Sequence, residues 1–268
     1  MEWWQALILG VVQGLTEFFP ISSSGHLELV PWIFGWGDLG GEAVGTAFDA
    51  SLHLGTLAAV VFATRRQLWL LVREGVRYPL AARGARTNNV TGRLAWLYVL
   101  TAVPAAVVGA LFDDVIGNQL GGPVIVAFSL FVFGAVLWWA DRRAGQRTAR
   151  DLGVRDAWLI GAAQVLALNP GTSRSGITIS AMRALGFART EAVQMSFVLG
   201  VPIIAGAGVW KTVGLIADGI GIAAAALTGW LAINALQRLA ARTNFNAFVI
   251  YRIVLALVVL NLALTGLR

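Results

Sequence analysis

The stretch QGLTEFFPISSSGHL, residues 13–27, decides how this chain folds, because a second stretch repeats its pattern. Residues 164–178 read QVLALNPGTSRSGIT, and the two stretches align without gaps. The identical positions are Gln13/Gln164, Leu15/Leu166, Ser22/Ser173, Ser24/Ser175 and Gly25/Gly176. An apolar segment with a matching Ser and Leu-Gly follows each stretch, at Ser51 and Leu54-Gly55 and again at Ser196 and Leu199-Gly200. Two matches in the same order indicate an internal duplication. The repeats fall at about 1–112 and 150–268, within one domain covering 1–268.

The composition places the chain in a membrane. Only 13% of the 268 residues are charged and 57% are hydrophobic, whereas a soluble domain carries about 25% charged residues. Charge-poor stretches recur, and each is about long enough to cross a ~30 Å hydrocarbon core as a helix. They lie at about 45–63, 94–112, 120–140, 190–210, 216–236 and 247–267. The sequence therefore predicts an all-α polytopic membrane protein.

Most basic residues fall between these apolar stretches, which gives the orientation. The net charge is +6, and arginines fill the segments 64–93 and 141–156. Loops rich in Lys and Arg stay on the cytoplasmic side of a membrane, so we expect these two segments inside and both termini outside. This pattern explains the basic charge without a nucleic-acid partner. The chain has no cysteine, which excludes disulfides and thiolate metal sites.

The repeated stretches cannot be simple membrane spans. Residues 5–36 include Gln13, Glu17, Pro20 and His26, and a charge at the centre of a lipid-facing helix costs about 2.5–3.5 kcal/mol. Non-helical backbone at membrane depth is tolerated where it is buried in protein or lines a wet cavity. We therefore expect six transmembrane helices plus two re-entrant helical hairpins. Three spans separate the hairpins, so the second enters from the opposite side, as an inverted-topology repeat with its functional site near the midplane.

The hairpin tips carry the chemistry of a phosphate site. Gln13 and Glu17 are four residues apart and share a helix face, and Pro20 ends that helix. The run Ser22-Ser23-Ser24-Gly25 then begins the next helix, whose first N–H groups can bind an anion, with His26 placed over the same spot. The second hairpin offers a similar start around Arg174, whose guanidinium matches phosphate oxygens. The two tips together predict a site for a multiply charged phosphate group.

At these residues the chain resembles a known family. EFFPISSSGHL and PGTSRSGIT are similar to the two signature motifs of the bacterial undecaprenyl-diphosphate phosphatases, the bacitracin-resistance proteins, and the likeness runs nearly end to end. The resemblance implies the same six helices and two inverted hairpins. It also implies a hydrolase that converts undecaprenyl diphosphate to undecaprenyl phosphate and inorganic phosphate, which recycles the carrier lipid for peptidoglycan. The enzyme would lie in the bacterial cytoplasmic membrane with its active site facing the outer side.

The resemblance assigns roles by position. It implies catalytic roles for Glu17, Ser23, His26 and Arg174. The remaining motif residues would bind the substrate phosphates: Ser22, Ser24, Gly25, Ser173, Ser175, Gly176 and Thr178. We favour Ser23 as the nucleophile with His26 as its base, while attack by His26 or by water stays open. Glu17, with Gln13 where many members have a second glutamate, is a candidate ligand for Mg²⁺ or Ca²⁺.

Several alternatives remain open from the sequence. Inverted repeats with polar broken helices also occur in transporters, so a transporter or flippase for a lipid-linked phosphate is the second candidate. A non-catalytic scaffold would leave Glu17, His26 and Arg174 in apolar surroundings without a purpose. Asp49 and His53 form another pair four residues apart, equally suited to a structural role or a substrate contact. The 31 glycines permit close helix packing within or between subunits, which is compatible with a homodimer.

Overall fold

The computed structural model describes residues 1–36, 42–81, 88–112, 120–211 and 219–267, without the side chains of 42–46 and 207–211. Within these ranges the chain is helical, with one isolated β-bridge between Arg147 and Phe187. The helices are α1 (Trp3–Phe18), α2 (Ser23–Phe34), α3 (Glu42–Leu80), α4 (Val90–Leu111), α5 (Pro123–Asp141), α6 (Val154–Val165), α7 (Arg174–Ala184), α8 (Arg189–Lys211), α9 (Gly219–Arg242) and α10 (Asn246–Leu264). Short 3₁₀ turns at Ala149–Asp151 and Leu166–Leu168 complete the described structure.

Five described segments are long and apolar enough to cross a membrane: Ala47–Leu80, Val90–Leu111, Pro123–Asp141, Gly219–Arg242 and Asn246–Leu264. They coincide with five of the six predicted spans, although residues 216–218 of one prediction lie outside the described residues. The sixth prediction, 190–210, falls on α8, a helix of 23 residues. The prediction of an all-α polytopic membrane protein is therefore confirmed at this level.

The predicted basic loop 64–93 is wrong over its first half. Helix α3 continues without a break to Leu80 and is 39 residues long. An apolar stripe hidden among its arginines explains the extension, because Leu71 is buried and the Trp96 indole of α4 donates to the Gly75 carbonyl at 3.0 Å. Packing on α4 thus holds α3 helical beyond the apolar span. Residues 82–87 of the predicted loop lie outside the described residues.

Each repeated stretch folds as a helix, a break and a second helix. In the first, α1 ends at Phe18 and α2 begins at Ser23; in the second, the chain passes from α6 through a 3₁₀ turn to α7. Ser22 and Ser173 precede α2 and α7 with φ of 77° and 75°, and they are the non-glycine residues with positive φ in the described chain. Both hydroxyls cap their helices by accepting from the N–H of Gly25 and Gly176. The matched serines of the repeat therefore have matched conformations, each costing about 1–3 kcal/mol.

The first arm of each hairpin packs on a helix from the other half of the chain. Helix α1 lies against α9, and α6 lies against α4. Small residues allow this approach, since a Cβ added at Gly14 would lie 2.0 Å from Thr228 Oγ1 and one added at Gly161 would lie 2.8 Å from the Thr101 carbonyl oxygen. This reciprocal exchange brings the two hairpin tips together inside the helix assembly.

The tips touch directly through backbone and serine contacts. The Ser22 hydroxyl accepts a second hydrogen bond from the N–H of Gly171 at 3.1 Å. In return, Ser175 donates its hydroxyl to the Phe19 carbonyl at 3.1 Å. A Cβ added at Gly25 would lie 3.2 Å from Gly171 Cα, so the two glycines set the closeness of the tips. The starts of α2 and α7 consequently face a common space.

Candidate active site

A cavity of about 140 Å³ lies where the two hairpin tips meet. The starts of α2 and α7 supply its polar wall, with Glu17 from α1, His53 from α3 and Gln164 from α6. Its apolar wall comes from α4, the turn after α6, and α8, through Ala105, Ala167, Leu168, Ile203 and Ile204. Two helix N-termini pointing into one space favour an anion there.

Glu17 is the centre of the polar contacts. Its Oε1 accepts from Arg174 Nη2 at 3.2 Å, and its Oε2 accepts from the Ser23 hydroxyl at 2.6 Å. Gln13 Nε2 donates to the same Oε2 at 3.3 Å, as the spacing of four residues predicts. The Glu17 side chain is only 6% exposed, so the arginine stabilises a charge that water cannot. The carboxylate thereby joins the Ser23 hydroxyl of the first hairpin to the Arg174 guanidinium of the second.

The Arg174 guanidinium is held from two sides. Besides Glu17, it contacts the Ser196 carbonyl, which accepts from Nη1 at 3.0 Å. Gly200 on the next turn of α8 leaves room for it, since an added Cβ would lie 2.4 Å from Nη1. Arg174 Nε is buried and has no hydrogen-bond partner within the described residues. A buried donor left open beside a polar cavity is expected where a ligand completes the site.

His53 lines the cavity, whereas the sequence left open whether its pair with Asp49 is structural or contacts the substrate. Its Nδ1 lies 2.8 Å from the Asp49 carbonyl oxygen, so this nitrogen carries a hydrogen. Its Nε2 then faces the cavity, 3.8 Å from Glu17 Oε2. The i, i+4 pair with Asp49 was the available signal, but the bond goes to the Asp49 backbone. Only the packing of α3 beside the first hairpin shows that this imidazole, and not His26, lies by the carboxylate.

The expected pairing of His26 with Ser23 is not formed. His26 Nδ1 lies 2.6 Å from the Ser22 carbonyl oxygen, and Nε2 lies 2.7 Å from the Tyr251 hydroxyl. The imidazole stacks on the Tyr251 ring and is not part of the cavity wall. The cap conformation of Ser22 turns its carbonyl toward the ring, and α10 covers the other side. His26 therefore supports the loop, and the hydroxyl of Ser23 has Glu17 as its acceptor.

The predicted phosphate-binding residues divide into two groups. Ser22, Ser24 and Ser173 line the cavity together with Ser23 and Arg174. The others, Gly25, Ser175, Gly176 and Thr178, are engaged in holding the tips. The N–H groups of Gly25 and Gly176 donate to the capping hydroxyls of Ser22 and Ser173. Ser175 donates to the opposite hairpin, and the Thr178 hydroxyl lies 2.8 Å from that of Ser196. Phosphate binding by any of the seven stays a prediction.

Arg252 of α10 joins the two hairpins from behind and was not predicted as a site residue. Its side chain is fully buried at 0% exposure. Its guanidinium donates to the carbonyls of Pro20 in the first hairpin, of Gly171 and Thr172 in the second, and of Ser129 and Leu130 in α5. The signal for it was a lone charge in the otherwise uncharged segment 247–267.

The oxygen ligands near the cavity fit a divalent cation that takes most of its ligands from substrate phosphates and water. Glu17 is the carboxylate in the cavity wall, and Gln164 also lines the cavity, whereas Gln13 contacts Glu17 without lining it. The Oε1 atoms of Gln13 and Gln164 are buried and have no hydrogen-bond partner in the described chain. No cluster of three or more His, Cys, Asp or Glu suited to a metal occurs among the described residues. Mg²⁺ commonly takes one or two carboxylates plus substrate phosphates and water, which this donor set allows.

Comparison with known proteins agrees with the geometry. The family model described as bacitracin resistance protein BacA matches residues 6–258. Undecaprenyl-diphosphatase of Alcanivorax borkumensis is 44% identical over 271 residues, covering 97% of this chain and 98% of the relative. Undecaprenyl-diphosphatase of Elusimicrobium minutum is 42% identical over 265 residues, covering 97% of each. The chain belongs to the bacitracin resistance protein BacA family.

Proposed function

We propose that this chain is an undecaprenyl-diphosphate phosphatase, which hydrolyses undecaprenyl diphosphate to undecaprenyl phosphate and inorganic phosphate. The observation that carries the proposal is the hydrogen bond of 2.6 Å from the Ser23 hydroxyl to buried Glu17, beside Arg174 in a cavity formed by two helix N-termini. The relatives named undecaprenyl-diphosphatase, similar over nearly the whole chain, support the substrate. The reaction returns the carrier lipid to peptidoglycan synthesis and confers resistance to bacitracin.

The contacts favour a serine nucleophile assisted by the carboxylate. The Ser23 oxygen attacks the terminal phosphorus while its proton passes to Glu17, and the bridging P–O bond breaks to release undecaprenyl phosphate. Water then hydrolyses the phosphoserine, and the proton on Glu17 returns to the serine as phosphate leaves. The alternative in which Glu17 activates water for direct attack uses the same residues. His26 as the base has no support in the contacts of its two nitrogens.

Charge stabilisation comes from the second hairpin and the helix ends. Arg174 lines the cavity, so its guanidinium can hold an equatorial oxygen of the transferred phosphoryl group. The first turns of α2 and α7 add N–H groups, and Ser22, Ser24 and Ser173 add hydroxyls. His53 presents Nε2 on the same side. Phosphoryl transfer demands mainly positioning and charge neutralisation, which this arrangement supplies.

A divalent cation, Mg²⁺ or Ca²⁺, completes the proposal. Glu17 and Gln13 are the protein groups that would hold it, and a bound cation would neutralise part of the diphosphate charge. The residues of the chain keep their own tasks: Glu17 accepts the serine proton, and Gln13 fixes the orientation of the carboxylate through its Nε2.

The charge pattern and the reciprocal packing support a proposal for the membrane arrangement. We place the protein in the cytoplasmic membrane with six spanning helices, two inverted re-entrant hairpins and the active site facing outward. The pairing of α1 with α9 and of α6 with α4 supports repeats at about 1–112 and 150–268 in one domain. A homodimer is compatible with this arrangement.

Transport of the lipid is less well supported. A second polar cavity lies toward the expected cytoplasmic end, lined by Arg65, Gln194 and Gln237 among others. On α8, the buried Phe197 lies between Gln194 of this second cavity and Ile203 of the first, and it makes an edge-to-face contact with buried Phe18. A transporter needs a polar path that reaches both sides.

The test is phosphate release from undecaprenyl diphosphate by the purified protein in detergent with Mg²⁺ or Ca²⁺. Glu17→Gln, Ser23→Ala and Arg174→Ala should each lower kcat by about 10²–10⁴-fold. Arg238→Ala, an exposed arginine of α9, is the matched control and should keep the parent rate. A phosphoserine trapped by acid at Ser23 supports the nucleophile, and incorporation of solvent oxygen without it supports water. A folded parent that releases no phosphate would end the phosphatase proposal and make lipid transport in vesicles the next measurement.

A further inference from the structure

The second step of the proposed reaction lacks a proton acceptor. In the first step, the proton of the Ser23 hydroxyl passes to Glu17, whose Oε2 accepts from that hydroxyl at 2.6 Å. In the second step, the water that attacks the phosphoserine must also lose a proton. Glu17 cannot take this proton while it still holds the one that Ser23 needs back. Another base in the cavity wall would complete the step.

His53 of α3 is the base that the cavity wall offers. Three of the described residues that line the cavity carry ionisable side chains: Glu17, His53 and Arg174. An arginine side chain stays protonated in proteins, so Arg174 does not accept a proton. Imidazoles, in contrast, take up and release protons between about pH 5 and pH 8. With Glu17 protonated by the first step, the imidazole of His53 remains.

The hydrogen bonding of His53 leaves one ring nitrogen free to accept a proton. Its Nδ1 lies 2.8 Å from the Asp49 carbonyl oxygen, which can only accept, so Nδ1 carries the hydrogen of the neutral ring. Nε2 then keeps its lone pair and has no hydrogen-bond partner within the described residues. The His53 side chain is 22% exposed, so water can reach it. His26 differs, because both of its nitrogens have partners.

The position of His53 beside Glu17 also suits the charges of the second step. Its Nε2 lies 3.8 Å from Glu17 Oε2, the oxygen that accepts from Ser23. As the phosphoserine bond breaks, Glu17 returns its proton to Ser23 and becomes negative. His53 becomes positive at the same time, by taking the proton of the water. Opposite charges at this distance attract each other strongly in a buried site, which lowers the energy of the step.

We propose that His53 is the general base of the second step and takes a proton from the attacking water. The inference rests on the proposed function. The water oxygen forms a bond to phosphorus while one of its protons passes to His53 Nε2. The bond between phosphorus and the Ser23 oxygen breaks, and this oxygen takes the proton held by Glu17. Phosphate leaves with the other hydrogen of the water, and the His53 imidazolium then releases its proton to solvent.

The experiment measures the two steps separately, with undecaprenyl diphosphate that carries radioactive phosphorus at its terminal position. Rapid mixing with the purified protein in detergent, followed by an acid quench, gives the rate at which phosphoserine forms. A chase with unlabelled substrate then gives the rate at which the labelled phosphoserine is lost. His53→Gln keeps a polar side chain but cannot take up a proton. It should slow the loss about 100-fold or more and form phosphoserine within about twofold of the parent rate.

His26→Gln is the matched control, because it changes the other histidine of the chain, which is not in the cavity wall. The ratio of its two rates should equal that of the parent. If His53→Gln does not fold, as judged by its thermal midpoint, His53→Asn is measured in the same way.

Three results would overturn the inference. The first is an unchanged loss of phosphoserine in His53→Gln. The second is an equal slowing of formation and loss, which a structural role of His53 would produce. The third is phosphate release without phosphoserine in either protein, because His53 then has no second step to serve. A parent that releases no phosphate ends the proposed function itself, and the assay of the parent alone reports that outcome.

Discussion

Replacing Arg252 by methionine should loosen the two hairpins together. The substitution removes the guanidinium that donates to the carbonyls of Pro20, Gly171 and Thr172, which lie outside helices. The carbonyls of Ser129 and Leu130 keep their helical partners inside α5. Each buried acceptor left unsatisfied costs about 1–3 kcal/mol, which gives about 3–9 kcal/mol in all. Removal of a buried cation returns part of this cost. We expect a net loss of about 3–5 kcal/mol, or roughly 10 °C in the thermal midpoint.

The thermal midpoint is measured by tryptophan fluorescence of the protein in detergent, together with phosphate release. Arg252→Lys keeps the charge but offers fewer and shorter-reaching donors, so its midpoint and kcat should fall between those of the parent and Arg252→Met. Arg238→Met, on the exposed face of α9, controls for the loss of an arginine as such. A parent-like midpoint and kcat in Arg252→Met would refute the reasoning, because the carbonyls would then have found other partners at no cost.

Three further perturbations test separate parts of the site. Gly200→Ala should push the Arg174 guanidinium aside and lower kcat about 10–100-fold at an unchanged thermal midpoint. The control is Gly206→Ala on the same helix, which should keep the parent rate because nothing lies within 4 Å of an added Cβ. Equal rates in the two variants would contradict the packing argument. Ser173→Ala and Ser173→Gly both lose the capping hydroxyl, but only glycine relieves the strain of the positive φ. The thermal midpoint of Ser173→Ala should therefore fall below that of Ser173→Gly. The reverse order would exclude strain at this position. Chelation by EDTA should abolish phosphate release, and Gln13→Glu, which adds a second carboxylate, should lower the Mg²⁺ concentration that restores half of it; indifference to both would remove the cation from the proposal.

The hairpins and their tips could be predicted because local sequence controls them. The matched positions of Ser22 and Ser173, with a glycine three residues later, encode the same helix start twice, and the structure has it twice. The contact between Gln13 and Glu17 follows from helical spacing alone. Glu17 and Arg174 could be expected near each other because two hairpins inserted from opposite sides bring their tips together.

The remaining site contacts depend on how distant helices pack, which no local pattern states. The sequence places His26 beside three serines, but the rotation of α2 against Tyr251 carries its ring away from them. His53 reaches Glu17 because α3 lies next to α1 in space. Arg252 stood out as a lone charge, yet its five carbonyl partners lie between 80 and 232 residues away in the sequence.

The ion pair between Glu17 and Arg174 has a consequence for the resting enzyme. Without substrate, the arginine and the serine hydroxyl are both engaged with the same carboxylate, so the site is balanced in charge and closed on itself. An arriving diphosphate competes with the carboxylate for Arg174 Nη2, which donates the one hydrogen bond between the two side chains. On the proposed mechanism, Glu17 loses its counter-ion when the serine needs a proton acceptor. Binding of the substrate and activation of the Ser23 hydroxyl then occur in one exchange of hydrogen-bond partners. Water does not start this exchange, because it cannot displace the Glu17 carboxylate from the Arg174 guanidinium.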